Sequence, residues 1–215
     1  MRVETFTAGP FAENGYLAFC DSGEAVAVDP GAGAARMAAV LAERDADLVA
    51  ILLTHAHLDH VEGVARLRRF AEAPIHLHPL DRPLYDALPQ QAAAFGVDVE
   101  PPPAPDRALA HGDTVRFGAC GLEVRHAPGH APGHVLLLAA ADGLAFVGDV
   151  VFRGSIGRTD LPGGDFQVLM RSIREQVLTL PDETRLYTGH GPDTTVEHER
   201  TTNPFLVPHY GGELA

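Results

Sequence analysis

The chain runs from Leu48-Val49-Ala50-Ile51-Leu52-Leu53 straight into Thr54-His55-Ala56-His57-Leu58-Asp59-His60. A continuous apolar run of that length, bounded by loop residues, fits a strand covered on both faces. Such a strand requires a packed layer on each side of its sheet, so it points to an α/β architecture. Four metal-ligand side chains follow within six residues. On a helix, His57 and His60 would share a face, but His55 and His57 would not. In an extended loop alternate residues point the same way, so His55 and His57 can grip one ion. Asp59 and His60 then face elsewhere, toward a second. A plain polar loop with solvated histidines is the competing reading. It fits less well, because neutral imidazole and carboxylate are standard ligands of zinc-like ions.

The rest of the chain interleaves strand and helix patterns. Arg2–Thr7, Tyr16–Cys20 and Ala25–Val28 read as strands, with Asp21-Ser22-Gly23 as a turn. Met37, Val40, Leu41 and Arg44 recur at helical spacing, which predicts a helix over 33–44. Helical spacing resumes over 61–71, and Pro74–His78 reads as a short strand. The Pro-rich stretch 80–106 reads as two short helices and a loop. Hairpins are predicted at 114–126 and 135–147, and Asp165 as the N-cap of a helix through Val177. Arg185–Thr188 reads as the last strand and Thr195–Asn203 as the last helix. The halves echo each other, since each ends a buried strand in a His-bearing loop, at His55 and at His190. The expected fold is two β-rich halves packed sheet on sheet with helices outside, and sites at strand C-termini between them. A length of 215 residues predicts one domain, 1–215.

His130 lies in Pro128-Gly129-His130-Ala131-Pro132-Gly133-His134, where Pro and Gly fix a sharp turn on both sides. His134 opens an apolar strand and is expected to be buried and hydrogen-bonded. Asp149 follows Phe146-Val147-Gly148, and an unpaired carboxylate there would be costly, so it calls for a cation. His190, in Thr188-Gly189-His190-Gly191-Pro192, closes the last strand in the same way. His55, His57, Asp59, His60, His130, Asp149 and His190 together suit two ions sharing Asp149, whose two oxygens can bridge metals ~3.5–4 Å apart. His76 and His78 repeat the alternate spacing without a following Asp-His and read as structural. His111, His198 and His209 read as surface residues, and His126 as supporting or buried near His130.

Composition narrows the partners. With 16 Lys+Arg against 29 Asp+Glu the net charge is −13, which repels nucleic acid and anionic lipid. Arg66, Arg68 and Arg69 are the one basic cluster and read as a solvated helix face. The most apolar stretch, Val135–Val147, is interrupted by Asp142-Gly143 and too short for a bilayer span. No targeting segment is visible, and Cys20 and Cys120 read as free thiols, which suits a reducing, cytoplasmic setting.

His55-x-His57-x-Asp59-His60, Pro128-Gly129-His130, Gly148-Asp149 and Gly189-His190-Gly191 resemble the metallo-β-lactamase superfamily. Within it, Asp29-Pro30-Gly31, the 154–160 stretch Gly-Ser-Ile-Gly-Arg-Thr-Asp and Thr201-Thr202-Asn203-Pro204-Phe205-Leu206 look like the short, single-domain bacterial proteins of glyoxalase II type. The resemblance implies an αββα sandwich of the metallo-β-lactamase type. It implies a binuclear site with His55, His57 and His130 on one ion, Asp59, His60 and His190 on the other, and Asp149 bridging. It implies two divalent ions, zinc foremost with iron or manganese as alternatives. It also implies hydrolysis of an acylated thiol such as S-lactoylglutathione, with Arg158 where these enzymes place a basic substrate contact. Two departures stand out. The sequence ends soon after Pro204-Phe205, where the long enzymes carry a helical extension, and Pro192 replaces the tyrosine that follows their last ligand histidine. Another low-molecular-weight thiol therefore stands beside glutathione as the carrier.

Two cations lower the pKa of a shared water toward ~7, so the expected chemistry is attack by metal-bridging hydroxide, with Asp59 and Asp149 as the carboxylates at the reacting centre. No G-x-S-x-G nucleophile motif appears. Arg158 is expected to hold a substrate carboxylate, or else to brace its loop by pairing with Asp160 or Asp165. Persulfide dioxygenase, using two His and one Asp on a single iron, is the alternative reaction on this fold. A non-catalytic metal-binding module is the second alternative.

Overall fold

The computed structural model describes residues 1–207, so His209 lies outside the described residues. Two six-stranded sheets face each other. The first comprises β1 (Arg2–Ala8), β2 (Glu13–Phe19), β3 (Glu24–Val28), β4 (Asp47–Leu52), β5 (Ile75–Leu77) and β6 (Arg107–Ala108), side by side in that order. Its first three strands are antiparallel, and β3 to β6 run parallel. The second has the order β14-β13-β10-β9-β8-β7. Its strands are β7 (Thr114–Phe117), β8 (Cys120–His126), β9 (Val135–Ala139), β10 (Leu144–Gly148), β13 (Arg185–Thr188) and β14 (Thr194–Thr195). A small ribbon of β11 (Val151–Phe152) and β12 (Ser155–Ile156) follows β10.

The strict alternation of strand side chains sorts the core into three layers. Ala50 and Leu52 of β4 meet Val124, Leu137 and Phe146 between the sheets. Ile51 and Leu53 turn outward onto α1 (Ala34–Arg44), α3 (Val64–Phe70) and α5 (Leu88–Phe95) through Met37, Leu41, Leu67 and Leu88. On the far side, Leu136, Ala145 and Val147 pack on α6 (Phe166–Ser172) and α7 (Val196–Thr202) through Leu169, Met170 and Val196. This is the helix–sheet–sheet–helix sandwich expected from the sequence. Asp165 caps α6 by accepting the Val168 N–H at 3.0 Å, as its position predicts.

Two expectations need correction. The helix expected over 61–71 is two, α2 (Leu58–Val61) and α3, broken at Gly63. A Cβ there would sit 2.0 Å from the Pro30 carbonyl oxygen, so α3 can start only by passing against that loop without a side chain. Cys20 and Cys120 are not free but joined in a disulfide, 100 residues apart in sequence. They lie at the β2–β3 and β7–β8 turns, which the facing sheets bring to the same end. His126, expected as supporting or buried near His130, stacks on His78 at 4.3 Å and bonds the Pro132 carbonyl in the loop that carries His130. The basic cluster is partly neutralised, with Arg68 paired to Asp106 and Arg69 to Glu100. No described helix is long and apolar enough to cross a membrane.

Candidate metal centre

The central strands β3, β4, β10 and β13 end on one edge of the sandwich. They release, in turn, Asp29, His55, Asp149 and His190. β8 runs the same way as β10 across the antiparallel β9, so its exit loop brings His130 to that edge. The loop after β4 stays extended through His57 and then enters α2, with Asp59 and His60 on its first turn.

The seven sequence-predicted residues meet in two linked groups. His55, His57 and His130 form the first. His130 Nε2 lies 2.8 Å from His57 Nδ1 and 3.2 Å from His55 Nε2. Asp59, His60 and His190 form the second, with His190 Nε2 3.2 Å from an Asp59 oxygen. Asp149 stands between them, 3.4 Å from His130 Nε2 through one oxygen and 3.4 Å from His60 Nε2 through the other. Gly189 is what lets β13 approach so closely, because a Cβ on it would sit 2.0 Å from Asp149 Oδ1.

Hydrogen bonds outside the cluster aim the imidazoles. His60 Nδ1 lies 3.1 Å from an Asp29 oxygen, His130 Nδ1 2.7 Å from the Arg158 carbonyl and His190 Nδ1 3.1 Å from the Phe11 carbonyl. Each acceptor fixes a proton on Nδ1 and leaves Nε2 facing inward. His55 Nδ1 donates to the Thr54 hydroxyl, whose own proton goes to Asp29 at 2.6 Å. His57 is the exception, with Nδ1 inward.

The donor set fits cations. His60 Nε2 and Asp149 Oδ1 are fully buried without a hydrogen-bond partner. Three imidazole nitrogens crowd within about a hydrogen-bond length and cannot all be satisfied by protons. Burial and the neighbouring imidazoles hold His55 well below its ordinary range, and burial takes His57 down to about 3. For His60 burial acts downward too, but the Asp149 and Asp59 carboxylates outweigh it and hold it well above that range. Asp149 is held below the ordinary carboxylate range, its burial more than offset by His60.

His134 is buried as expected. It stacks on His55 at 4.7 Å and accepts the Asp149 N–H at 3.1 Å. Arg158 borders the cavity over the site, with its guanidinium bridged to Asp160 by two bonds of 2.7 Å. Two supporting residues escaped the sequence reading. Asp29 is buried and accepts from the Thr54 N–H, the Thr54 hydroxyl and His60. Its place at the end of β3, matching His55, Asp149 and His190 on their strands, was the available signal. Asp29 also lies close enough to His55 and His60 to form a third ligand group, while already accepting those three bonds. Asp81 is buried and accepts the Ala56 N–H at 3.0 Å and the Gly133 N–H at 2.5 Å, tying together the two histidine loops. Nothing in its local sequence marks it.

The profile of the metallo-beta-lactamase superfamily matches residues 8–190. The chain is 38% identical over 208 residues to the hydroxyacylglutathione hydrolase GloC of Haemophilus influenzae, covering 96% of this chain and 98% of that protein. It superposes on the BLEG-1 B3 metallo-beta-lactamase with a TM-score of 0.90 at 36% identity, covering 96% of this chain and 100% of that one. On TTHA1623 in a di-iron-bound form the TM-score is 0.87 at 44% identity, over 94% of this chain and all of the other. With its sandwich, its strand-end histidines and its paired His/Asp groups for divalent ions, the chain belongs to the metallo-beta-lactamase superfamily of metallo-hydrolases.

Proposed function

We propose that the protein is a binuclear metal-dependent hydrolase of small acylated thiols, of which S-lactoylglutathione is the first to test. The observation that carries this reading is Asp149, whose two oxygens face the two histidine groups at equal 3.4 Å distances. His55, His57 and His130 would hold one ion and Asp59, His60 and His190 the other, with Asp149 common to both. Two divalent ions, zinc foremost, supply an acidified water and a Lewis acid for the thioester carbonyl when bound.

The chain's own residues do the positioning. Asp29 and Thr54 hold His60 and His55 with their Nε2 lone pairs inward. Asp149 is kept ionised, and the Phe11, Leu58 and Phe152 walls limit bulk water over the reacting carbonyl. A thiolate leaves readily, so the absence of a dedicated general acid is no obstacle. The 38% identity to a hydroxyacylglutathione hydrolase supports the thioester, and six inward-facing side chains around Asp149 exceed what one iron with two His and one Asp would use.

The test is metal analysis coupled to thiol release. Purified protein loaded with zinc, iron or manganese should hold about two ions per chain and release free thiol from acyl-thiol substrates. Oxygen uptake with a thiol persulfide, without thioester hydrolysis, would replace this reading with the dioxygenase.

A further inference from the structure

The cavity above the candidate metal centre has a volume of about 350 Å³. Its walls beyond the candidate ligands are Phe11, Leu58, Phe95, Phe152, Ile156 and Leu161. Phe95, 52% exposed at the rim, packs edge-on against Phe11 with ring centres 5.3 Å apart, and Phe152 lies edge-on to His190 at 5.8 Å. Phe95, the last residue of α5, thus leaves about half of its surface open at the rim. Together the rings offer an apolar surface beside the reacting centre.

Of the polar side chains on the same wall, Ser155 offers one hydroxyl, while Gln91 and Arg158 are already engaged. Gln91 accepts the Leu58 N–H through its oxygen, and its amide donates to the Ala56 and Leu84 carbonyls. Arg158 is the one guanidinium lining the cavity among the described residues, and both its Nε and an Nη donate to Asp160. The chain has no lysine, and its last arginine is Arg200. A substrate carboxylate entering this wall would share Arg158 with Asp160 and otherwise meet the Ser155 hydroxyl and apolar side chains, so its desolvation is poorly offset. An alkyl or aryl group meets no such penalty and gains buried area.

We propose that this cavity selects thioesters that carry an uncharged, apolar group, rather than a thiol bearing free carboxylates. The proposal rests on the thioester-hydrolase reading. It assigns Phe11 and Phe95 as specificity-determining residues and leaves Arg158 with Asp160.

A two-by-two panel tests it on the zinc-loaded protein: lactoyl and phenylacetyl thioesters, each of glutathione and of the neutral thiol N-acetylcysteamine. The phenylacetyl N-acetylcysteamine thioester should exceed S-lactoylglutathione in kcat/KM by about tenfold or more, on the scale of a filled apolar subsite. The two mixed substrates report whether the acyl or the thiol side occupies the rings. Phe95→Ala should remove most of that preference, and Arg158→Ala should leave the KM for S-lactoylglutathione within about twofold. Calorimetry with the non-hydrolysable thioether N-acetyl-S-phenethylcysteamine, set against S-methylglutathione, should rank binding in the same order and lose that order in Phe95→Ala. A preference for S-lactoylglutathione, with its KM rising about tenfold in Arg158→Ala, overturns the apolar assignment and keeps the hydrolase. Failure to hydrolyse any of the four by protein holding two ions overturns the hydrolase reading itself.

Discussion

Asp149 and His190 lie 3.6 Å apart, yet they should fail differently on truncation. Asp149 approaches both histidine groups, whereas His190 approaches only Asp59 and Asp149. Asp149→Ala should lower activity by at least ~100-fold and reduce occupancy at both sites, because the imidazoles then crowd without a counter-charge. His190→Ala should lose about one ion and keep the other. Elemental analysis of both variants checks this, and near-normal activity in Asp149→Ala would sink the bridging assignment. Asp29 acts one step further out. Removing its carboxylate frees His60 to rotate and strips the Thr54 hydroxyl of its acceptor, so Asp29→Ala should weaken metal binding by about 10–100-fold while the ligands remain. A competition titration against a chelator measures it, and unchanged affinity would show that the loop alone aims the imidazoles.

Between residues and the whole lie the two histidine loops, and Asp81 is what couples them. Its carboxylate receives one N–H from each, at Ala56 and at Gly133. Burial pushes this carboxyl up from its ordinary 3.8 to about 6, although the two N–H bonds favour the ionised form. A group whose pKa rises on folding lends stability that is complete below about pH 4 and lost as pH climbs past about 6. Wild type should therefore lose stability relative to Asp81→Asn between pH 4 and pH 7, by up to about 3 kcal/mol for a shift of about two pK units. Denaturant melts of both proteins across that range decide the matter, and curves that stay parallel would mean that Asp81 does not titrate there. At this scale the sequence was readable where periodicity spoke. The strand at Leu48–Leu53, the Asp165 cap and the helix 34–44 all fell where apolar spacing and capping chemistry put them. The break at Gly63 was not readable, because its cause is a carbonyl from a loop more than thirty residues earlier.

For the molecule as a whole, the disulfide between Cys20 and Cys120 fastens one sheet to the other at the end away from the metal centre. In the loop-entropy account a bridge spanning 100 residues contributes up to about 5 kcal/mol. Replacing both cysteines with alanine should lower the unfolding free energy by a few kcal/mol and leave metal content and kcat intact. Equal stability of the variant and the oxidised wild type would show that the bridge contributes nothing in solution. The sequence by itself determined the ligand chemistry and the layered fold. Histidines and aspartates placed at the ends of apolar runs are local facts, and strand and helix periods are local too. Only the tertiary structure decided how these pieces meet. It grouped His130 with His55 and His57, set Asp149 between the two groups and joined two distant cysteines. It also closed Phe11 onto Phe95. Each of these depends on which strand lies beside which and which loops share an edge, and distances through space across the two sheets have no counterpart in spacing along the chain.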